Sequence, residues 1–239
     1  EAACGPRTRL IVLNTPSNPC GKVWTHEELR QLARIAREKD LIVLTDEVYE
    51  YMVFDGAEHV SPAAVEDLRE RTVTISSFSK TFSITGFRIG YAAAPPELAR
   101  AIGLLTALLY VCAPTPLQLA VAHALDTLGE SYYLTLRDGY RSKRDRVCAA
   151  LEAAGLKPHR PEGAYYVLAD VGPLGFEESQ TAADYILAKA GVATVPGNAF
   201  YRGKEGHSLV RVCCAVEDAV LDEACARLRT LGAHERNTQ

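Results

Sequence analysis

The sequence predicts an α/β fold with a largely parallel sheet. Three short apolar segments, residues 10–13, 41–45 and 72–76, are rich in Leu, Ile, Val and Thr and have the length of buried strands. A helical pattern separates the first two of them. Strands that alternate with helical segments along the chain are typical of parallel sheets, and this alternation is the basis of the prediction.

The first predicted helix has a clear beginning. Thr25 followed by Glu28 forms a capping-box pattern, in which each residue can bond the other's backbone N–H group. Apolar residues then recur at helical spacing, which predicts one buried face made of Leu29, Leu32, Ala33 and Ala36.

Residues 88–94 form the fourth predicted strand, and the length of its connection predicts its direction. About a dozen residues separate it from the third strand, and a parallel crossover needs at least that many in the connection alone. We therefore expect the fourth strand to run antiparallel to the third. Arg88, its first predicted residue, would then lie at the same sheet edge as the end of the third strand.

The rest of the chain is predicted to be more helical and then to form a smaller α/β region. Helices are expected at 96–110, 116–128, 130–154, 178–190 and 217–232, and strands near 163–170, 192–195 and 208–214. Residues 234–239 are expected to be a frayed tail.

Composition limits the class of protein. The 239 residues include 48% hydrophobic and 23% charged residues, and the net charge of -4 gives no reason to expect nucleic acid or an anionic membrane as partner. No apolar run has the length of a membrane span, and the first residues do not have the form of a signal peptide. Seven scattered cysteines without a C-x-x-C pair favour a reduced, cytoplasmic protein over a disulfide framework or a metal site.

Polar residues follow the ends of the predicted strands, where ligands bind in open α/β sheets. They are Asn14, Asn18, Asp46, Glu47, Tyr49, Ser77, Ser79, Lys80 and, by the direction argument, Arg88. Each has an ordinary alternative: a turn cap for Asp46, packing for Tyr49, loop hydroxyls for the serines and solvated charges for Lys80 and Arg88. Their joint occurrence at one edge favours a binding site for an anionic aromatic ligand.

One stretch has a competing interpretation. Ser77 and Lys80 match the S-x-x-K signature of β-lactamase-like enzymes, in which the serine is the nucleophile. That chemistry also needs S-D-N and K-T-G elements, and the sequence contains neither. We therefore set the serine-nucleophile interpretation aside.

Four motifs resemble those of class I and II aminotransferases, which depend on pyridoxal 5′-phosphate (PLP) and have its fold type I. Residues 77–90 match the family's cofactor-attachment pattern, including an arginine eight residues after the lysine, and residues 14–21 resemble its N-x-P-x-N-P-T-G loop, with Cys20 in place of Thr. Residues 46–49 resemble its D-E-x-Y element, and residues 196–200 with Arg211 resemble its C-terminal P-G-x-x-F motif and carboxylate-binding arginine. The motifs occur in family order along essentially the whole chain.

The resemblance implies a role for each candidate residue. Lys80 would hold PLP as a Schiff base and then move a proton, Asp46 would pair with the ring nitrogen, and Tyr49 and Asn18 would donate to its phenolate oxygen. Ser77, Ser79 and Arg88 would bind its phosphate. Arg211, together with Asn18, would bind the substrate, the arginine through the α-carboxylate; its ordinary alternative is a strand-surface charge.

The resemblance also implies architecture and activity. The large PLP-binding domain would contribute its C-terminal portion, 1–129, and the small domain would be 130–239. The predicted activity is transamination between an L-amino acid and a 2-oxo acid by a cytoplasmic homodimer. A PLP-dependent lyase, cyclase or oxidase and a non-catalytic interaction module remain alternatives. Family members carry a further N-terminal stretch, so we expect this chain to begin within a longer protein.

Overall fold

The computed structural model describes residues 1–231, and the chain forms two compact units. The first contains Glu1–Pro16 and Val23–Leu136, and the second contains Ser17–Lys22 and the chain from Arg137 onward. The predicted domains, 1–129 and 130–239, remain a prediction. The predicted tail at 234–239 and the last residue of the predicted final helix, 232, lie outside the described residues.

The elements of the first unit agree closely with the predicted ones. Its strands are β1 (Leu10–Asn14), β2 (Ile42–Asp46), β3 (Thr72–Ser77) and β4 (Gly90–Ala93). Its helices are α1 (His26–Glu38), α2 (Phe78–Thr81), α3 (Pro96–Tyr110) and α4 (Thr115–Thr127). The four-residue helix α2 was not predicted, because so short a segment has no apolar periodicity to reveal it.

Helix α1 confirms its predicted cap and its predicted face. The Thr25 hydroxyl accepts from the Glu28 N–H group, and the Glu28 carboxylate accepts from the Thr25 N–H group. The buried residues of the helix are the four predicted ones, and they pack in one core with residues of the sheet such as Leu13 and Val43. This core covers one face of the sheet and fixes the strands whose ends carry the polar residues.

The sheet of the first unit has the order β1-β2-β3-β4. β1, β2 and β3 are parallel, and β4 runs antiparallel to β3, as the short connection predicted. Ser77 at the end of β3 is opposite Gly90 at the start of β4. The predicted strand boundary at Arg88 was two residues early, because Arg88 adopts a left-handed conformation with φ 58° and ψ 40° that a strand does not accommodate.

The second unit contains an antiparallel sheet of order β5-β6-β8-β7. Its elements are α5 (Glu130–Ala153), which starts in the first unit, β5 (Lys157–His159), β6 (Tyr166–Asp170), α6 (Ser179–Ala190), β7 (Val195–Pro196), β8 (Leu209–Cys213) and α7 (Asp218–Arg229). Strand β5 was missed, since its Lys-Pro-His sequence shows no apolar alternation. As an edge strand, it tolerates a proline.

Helix α3 exposes a large apolar surface. None of its residues is buried, and Leu108 and Leu109 are 84% and 79% exposed. Exposed apolar patches of this kind are typical of surfaces that contact another protein segment. Within residues 1–231, no helix combines the length and the apolar character that crossing a membrane requires.

Candidate functional site

Six of the predicted site residues line one cavity in the first unit. The cavity has a volume of about 760 Å³, within the usual range for small-molecule sites. The six side chains are those of Asp46, Tyr49, Ser77, Ser79, Lys80 and Arg88. The cavity lies at the carboxyl ends of β2 and β3, where the sequence predicted a polar site.

The end of β2 presents a carboxylate and a phenol. Asp46 is exposed, and its Oδ1 accepts from the Val48 N–H group at 3.2 Å, which holds the carboxylate over the turn that follows the strand. Tyr49 is 4% exposed and lies in the same turn. Tyr49 also lines the cavity, and the hydroxyl of a buried tyrosine usually has a hydrogen-bond partner.

The end of β3 and helix α2 present two hydroxyls and an amine. Ser77 precedes α2 but its side chain does not cap the helix, and Ser79 is 6% exposed. Lys80 follows on α2 and is half-buried. The lysine therefore faces the cavity with Asp46 and Arg88 rather than standing alone in solvent, which was the ordinary alternative for this residue.

Arg88 is held in an unusual backbone conformation beside the cavity. Its φ of 58° lies in the left-handed region, which costs a non-glycine residue free energy and is concentrated at functional sites. Its Nη1 donates to the Thr85 carbonyl oxygen at 3.0 Å, and within residues 1–231 the side chain forms no ion pair with a carboxylate. The guanidinium thus keeps its charge available for an anion.

One face of helix α3 also lines the cavity and was not anticipated. Its residues Ala99, Ile102, Gly103, Thr106 and Tyr110 recur at helical spacing. That spacing was visible in the sequence, but small and mixed side chains give no chemical signal of a binding site. Tyr91 of β4 is likewise part of the lining, next to Gly90 in the strand predicted to pair with β3.

The second unit holds Asn18 and Arg211, the two other residues to which the family resemblance gives a role, and joins them directly. Arg211 Nη1 donates to Asn18 Oδ1 at 2.7 Å. The guanidinium also lies 4.2 Å from the ring centroid of Tyr166 and 4.7 Å from that of Phe200, which restricts it by cation–π contact on two rings. Its Nε atom is buried without a hydrogen-bond partner among the described residues, so a donor remains unsatisfied.

Tyr165, which precedes Tyr166 in the chain, is 7% exposed. Its ring stacks on Tyr140 with centroids 5.5 Å apart and contacts Tyr166 at 4.7 Å. These contacts support Tyr166, which in turn flanks Arg211.

The loop that carries Asn18 depends on Gly21. The Asn18–Pro19 peptide bond is cis. Gly21 has φ 69°, its carbonyl accepts from the Gly163 N–H group at 2.8 Å, and a Cβ atom there would come within 2.1 Å of Pro161 Cβ. The close approach places the Asn18 loop against residues 161–163 within the same unit.

Replacement of Gly21 by alanine is expected to lower the free energy of unfolding by about 1–3 kcal/mol, because the left-handed backbone and the clash both oppose a side chain. Chemical denaturation measures the change. Gly139→Ala is the matched control: Gly139 is in α5 with open space around it, so alanine should be neutral or stabilising by up to about 1 kcal/mol. Equal effects at both positions would contradict the argument.

A partly buried carboxylate lies behind the cavity. The pKa of Glu50 is raised, first because burial disfavours its charged form and also because Glu47 is close. Ser76 and His59 act in the opposite direction, Ser76 by donating to Glu50 Oε1 at 3.1 Å. The folded protein therefore binds this proton more tightly than the unfolded chain does.

Glu50→Gln is expected to stabilise the fold at pH 7–8, by about 1–3 °C in the unfolding midpoint. A raised folded pKa gives stability that is present below the unfolded pKa and is lost as the pH rises through the folded pKa. The gain from glutamine, which keeps an acceptor for Ser76, should thus disappear towards pH 4. Thermal unfolding of both proteins across this range measures it. Glu58→Gln, at an exposed position, should give no such pH-dependent difference.

The described residues contain no group of three His, Cys, Asp or Glu side chains arranged to hold a metal ion, and the seven cysteines are free thiols.

The model of the family "aminotransferase class I and II" matches residues 1–228. The chain belongs to this family. Its fold is therefore fold type I of the PLP-dependent enzymes, as the motifs predicted.

Individual relatives agree with this assignment. The chain is 40% identical over 238 residues to the probable N-succinyldiaminopimelate aminotransferase DapC of Mycobacterium tuberculosis, covering 96% of this chain and 60% of that protein. It is 37% identical to aromatic-amino-acid aminotransferase 2 of Thermococcus litoralis, over 93% of this chain and 57% of the relative. The chain thus spans about 60% of the length of its first relative.

Solved structures show the same likeness in three dimensions. The N-succinyldiaminopimelate aminotransferase from Mycobacterium tuberculosis superposes with a TM-score of 0.92 at 40% identity, over 96% of this chain and 60% of that one. YbdL from Escherichia coli, whose structure identifies a methionine aminotransferase function, superposes with a TM-score of 0.91 at 36% identity, with the same coverages.

Proposed function

We propose that the protein is a PLP-dependent aminotransferase that exchanges the amino group between an L-amino acid and a 2-oxo acid. The observation that carries the proposal is the convergence of six polar side chains on the cavity at the ends of β2 and β3. An amine, a carboxylate, a phenol, two hydroxyls and a guanidinium are complementary to one anionic aromatic aldehyde. Family membership and aminotransferase relatives support the same activity.

The residues present fit PLP chemically. The cavity offers a positively charged group without an ion-pair partner among the described residues, Arg88, and two serine hydroxyls that suit a phosphate. It also offers a lysine amine that suits an aldehyde and a carboxylate that suits a ring N–H group. We therefore assign Lys80, Asp46, Tyr49, Ser77, Ser79 and Arg88 to the cofactor, and add Asn18 from the family resemblance.

When bound, PLP supplies an aldehyde that condenses with amines and a ring that accepts electron density. The contributions of the chain follow from its side chains. The Lys80 amine would attach the cofactor and, once released, would act as the base that takes the proton from the substrate Cα and delivers it to C4′ of the cofactor. The Asp46 carboxylate, fixed by the Val48 N–H group, would keep a proton on the ring nitrogen.

Tyr49 and Asn18 would donate to the phenolate oxygen of the ring. The oxygen of the Asn18 amide accepts from Arg211 Nη1, and the group through which an amide donates is its N–H₂. The hydroxyls of Ser77 and Ser79 and the Arg88 guanidinium would bind the phosphate, which orients the ring before the reaction.

Arg211 would bind the substrate α-carboxylate. Its unsatisfied Nε and its planar guanidinium between the rings of Tyr166 and Phe200 favour a carboxylate that accepts two parallel hydrogen bonds. Such a grip would orient the Cα–H bond for cleavage. From the resemblance we extend the proposal to a cytoplasmic homodimer.

The deciding experiment is an absorbance titration of the natural protein with amino acids. A visible cofactor band that is lost on addition of an amino acid and restored by a 2-oxo acid is expected. Consumption of the 2-oxo acid would distinguish transamination from lyase, cyclase or oxidase chemistry, which does not use it. A protein that takes up no PLP would overturn the proposal and favour a non-catalytic interaction module.

A further inference from the structure

A buried polar cluster lies directly behind the cavity, and no assigned role uses it. It consists of Glu47, His59 and Ser61, which we call the Glu47 brace. Glu47 is 2% exposed, although it stands between Asp46 and Val48, which both line the cavity. A fully buried glutamate is rare unless its charge is compensated by hydrogen bonds.

The brace satisfies both oxygens of the Glu47 carboxylate. His59 Nε2 lies 2.8 Å from Oε2, and Ser61 Oγ donates to Oε1 at 2.9 Å. His59 Nδ1 is buried without a hydrogen-bond partner among the described residues, so Nε2 is the ring nitrogen through which His59 interacts with Glu47. Ser61 precedes a short helical turn but does not cap it, so its hydroxyl is committed to Glu47.

The chain returns to the brace through a tight reversal. Asp55 and Gly56 have φ of 57° and 79°, and the Ala57 N–H group donates to the Phe54 carbonyl at 3.0 Å. Consecutive left-handed residues of the Asp-Gly type form the tightest hairpin reversals. Met52 and Phe54 on the way in are 1% and 2% exposed, so packing fixes the segment that carries His59.

Hydrogen bonds therefore hold the turn after β2 on two sides. The Glu47 N–H group donates to the Ile75 carbonyl of β3 at 2.8 Å, and the side chain of Glu47 is fastened to His59 and Ser61. The turn itself is closed by the Glu50 N–H group, which donates to the Glu47 carbonyl at 2.9 Å. Asp46 and Tyr49, one and two residues away from Glu47, have little freedom to leave the cavity.

We infer that Glu47, His59 and Ser61 are positioning residues that hold the 46–49 turn so that Asp46 and Tyr49 face the cofactor site. The inference rests on the proposed function for its link to PLP. It differs from a general stabilising role because it predicts that loss of the brace loosens this turn and weakens cofactor binding, while the fold elsewhere is unchanged. Removal of one hydrogen-bond partner costs far more free energy for a buried carboxylate that has two such partners than for an ion pair on the surface.

The test compares His59→Leu with His59→Gln in the natural protein. Leucine fills the space without a donor, whereas a glutamine amide can restore one. In the cofactor-free protein, the Glu50 and Met52 amides should exchange hydrogen about tenfold faster in His59→Leu than in the parent, while the amides of β6 and β8 should be unchanged. His59→Gln should restore part of the protection. Ser61→Ala, which removes the other bond, should give a smaller change of the same kind.

The second readout is the cofactor. The dissociation constant of PLP should rise about tenfold in His59→Leu, which is the factor expected for one lost hydrogen bond to a charged group. The pH midpoint of the visible cofactor band should also move, because Asp46 loses its position. His207→Leu is the matched control, since His207 pairs with Glu178 at 3.3 Å in the second unit, with side chains that are 32% and 51% exposed. It should change neither readout.

The outcomes separate the two proposals. Unchanged hydrogen exchange at the Glu50 and Met52 amides in His59→Leu would overturn the inference that the Glu47 brace holds the 46–49 turn. Faster exchange with unaltered PLP affinity and spectrum would overturn its positioning role and leave a structural one. Absence of PLP binding in the parent protein would overturn the proposed function and the cofactor link together, while the exchange comparison would still decide whether the brace holds the turn.

Discussion

Alanine in place of Lys80 is expected to abolish covalent attachment of PLP and to lower transamination by about 10²–10⁴-fold or more. The range is that of a lost general base, and loss of the attachment amine adds to it. The expectation follows from the position of Lys80 on α2, half-buried and lining the same cavity as Asp46 and Arg88. Folding should be little affected, because lysine to alanine in a helix costs little.

Borohydride reduction followed by peptide mass spectrometry measures the attachment, and steady-state kinetics measures the activity. Lys39→Ala is the matched control, because Lys39 is an exposed lysine at the end of α1. It should keep both the label at Lys80 and the activity. A label on another lysine, or undiminished turnover in Lys80→Ala, would contradict the assignment of the reactive amine.

The fold of the first unit was predictable because its signals are local. Thr25 and Glu28 mark the start of α1, and continuous apolar segments mark three strands. The direction of β4 followed from connection length alone, a geometric limit that needs no knowledge of contacts. The boundary at Arg88 was wrong by two residues because nothing in an Ile-Gly-Tyr-Ala sequence signals that the residue before it takes a left-handed conformation.

The cavity side of the site was predictable for a topological reason. The carboxyl ends of parallel strands meet at one edge, so residues that follow β2 and β3 come together although they are about thirty residues apart in sequence. The Glu47 brace was not predictable in this way. His59 and Ser61 lie in an irregular segment, and the fold back to Glu47 depends on the left-handed pair Asp55–Gly56 and on buried Met52 and Phe54.

The surroundings of Arg211 illustrate the same limit. The family pattern pointed to the arginine, but the stacking of its guanidinium on Tyr166 and Phe200 depends on strand register and on a turn after β7. Tyr166 is in β6, opposite Cys213 of β8, and so lies diagonally across from Arg211. Pairwise register of this kind depends on the whole sheet and not on either segment alone.

Arg211→Lys is expected to raise the KM for amino acids and 2-oxo acids, with a loss of kcat/KM of about 30- to 1000-fold. The PLP dissociation constant should change much less, because Arg211 reaches the cofactor only through its hydrogen bond to Asn18. Lysine keeps the charge but has no planar fork, so it cannot make two parallel hydrogen bonds to a carboxylate or stack on two rings. The range corresponds to loss of about 2–4 kcal/mol from a charge pair whose partner stays in place. Arg202→Lys, at an exposed position in the same unit, is the matched control and should behave like the parent.

The substitution also tests Arg211 separately from the residues of the cavity in the first unit. Arg211 contacts Asn18, Tyr166 and Phe200, and none of these residues belongs to the lining of the cavity in the first unit. If Arg211 recognises the carboxylate, the defect should be confined to substrates that carry an α-carboxylate. Amines that lack this group should react equally slowly with the variant and with the parent protein. If Arg211→Lys instead lowered PLP affinity and left the KM of both substrates unaltered, the arginine would have to be reassigned to the cofactor, and the carboxylate would need another partner.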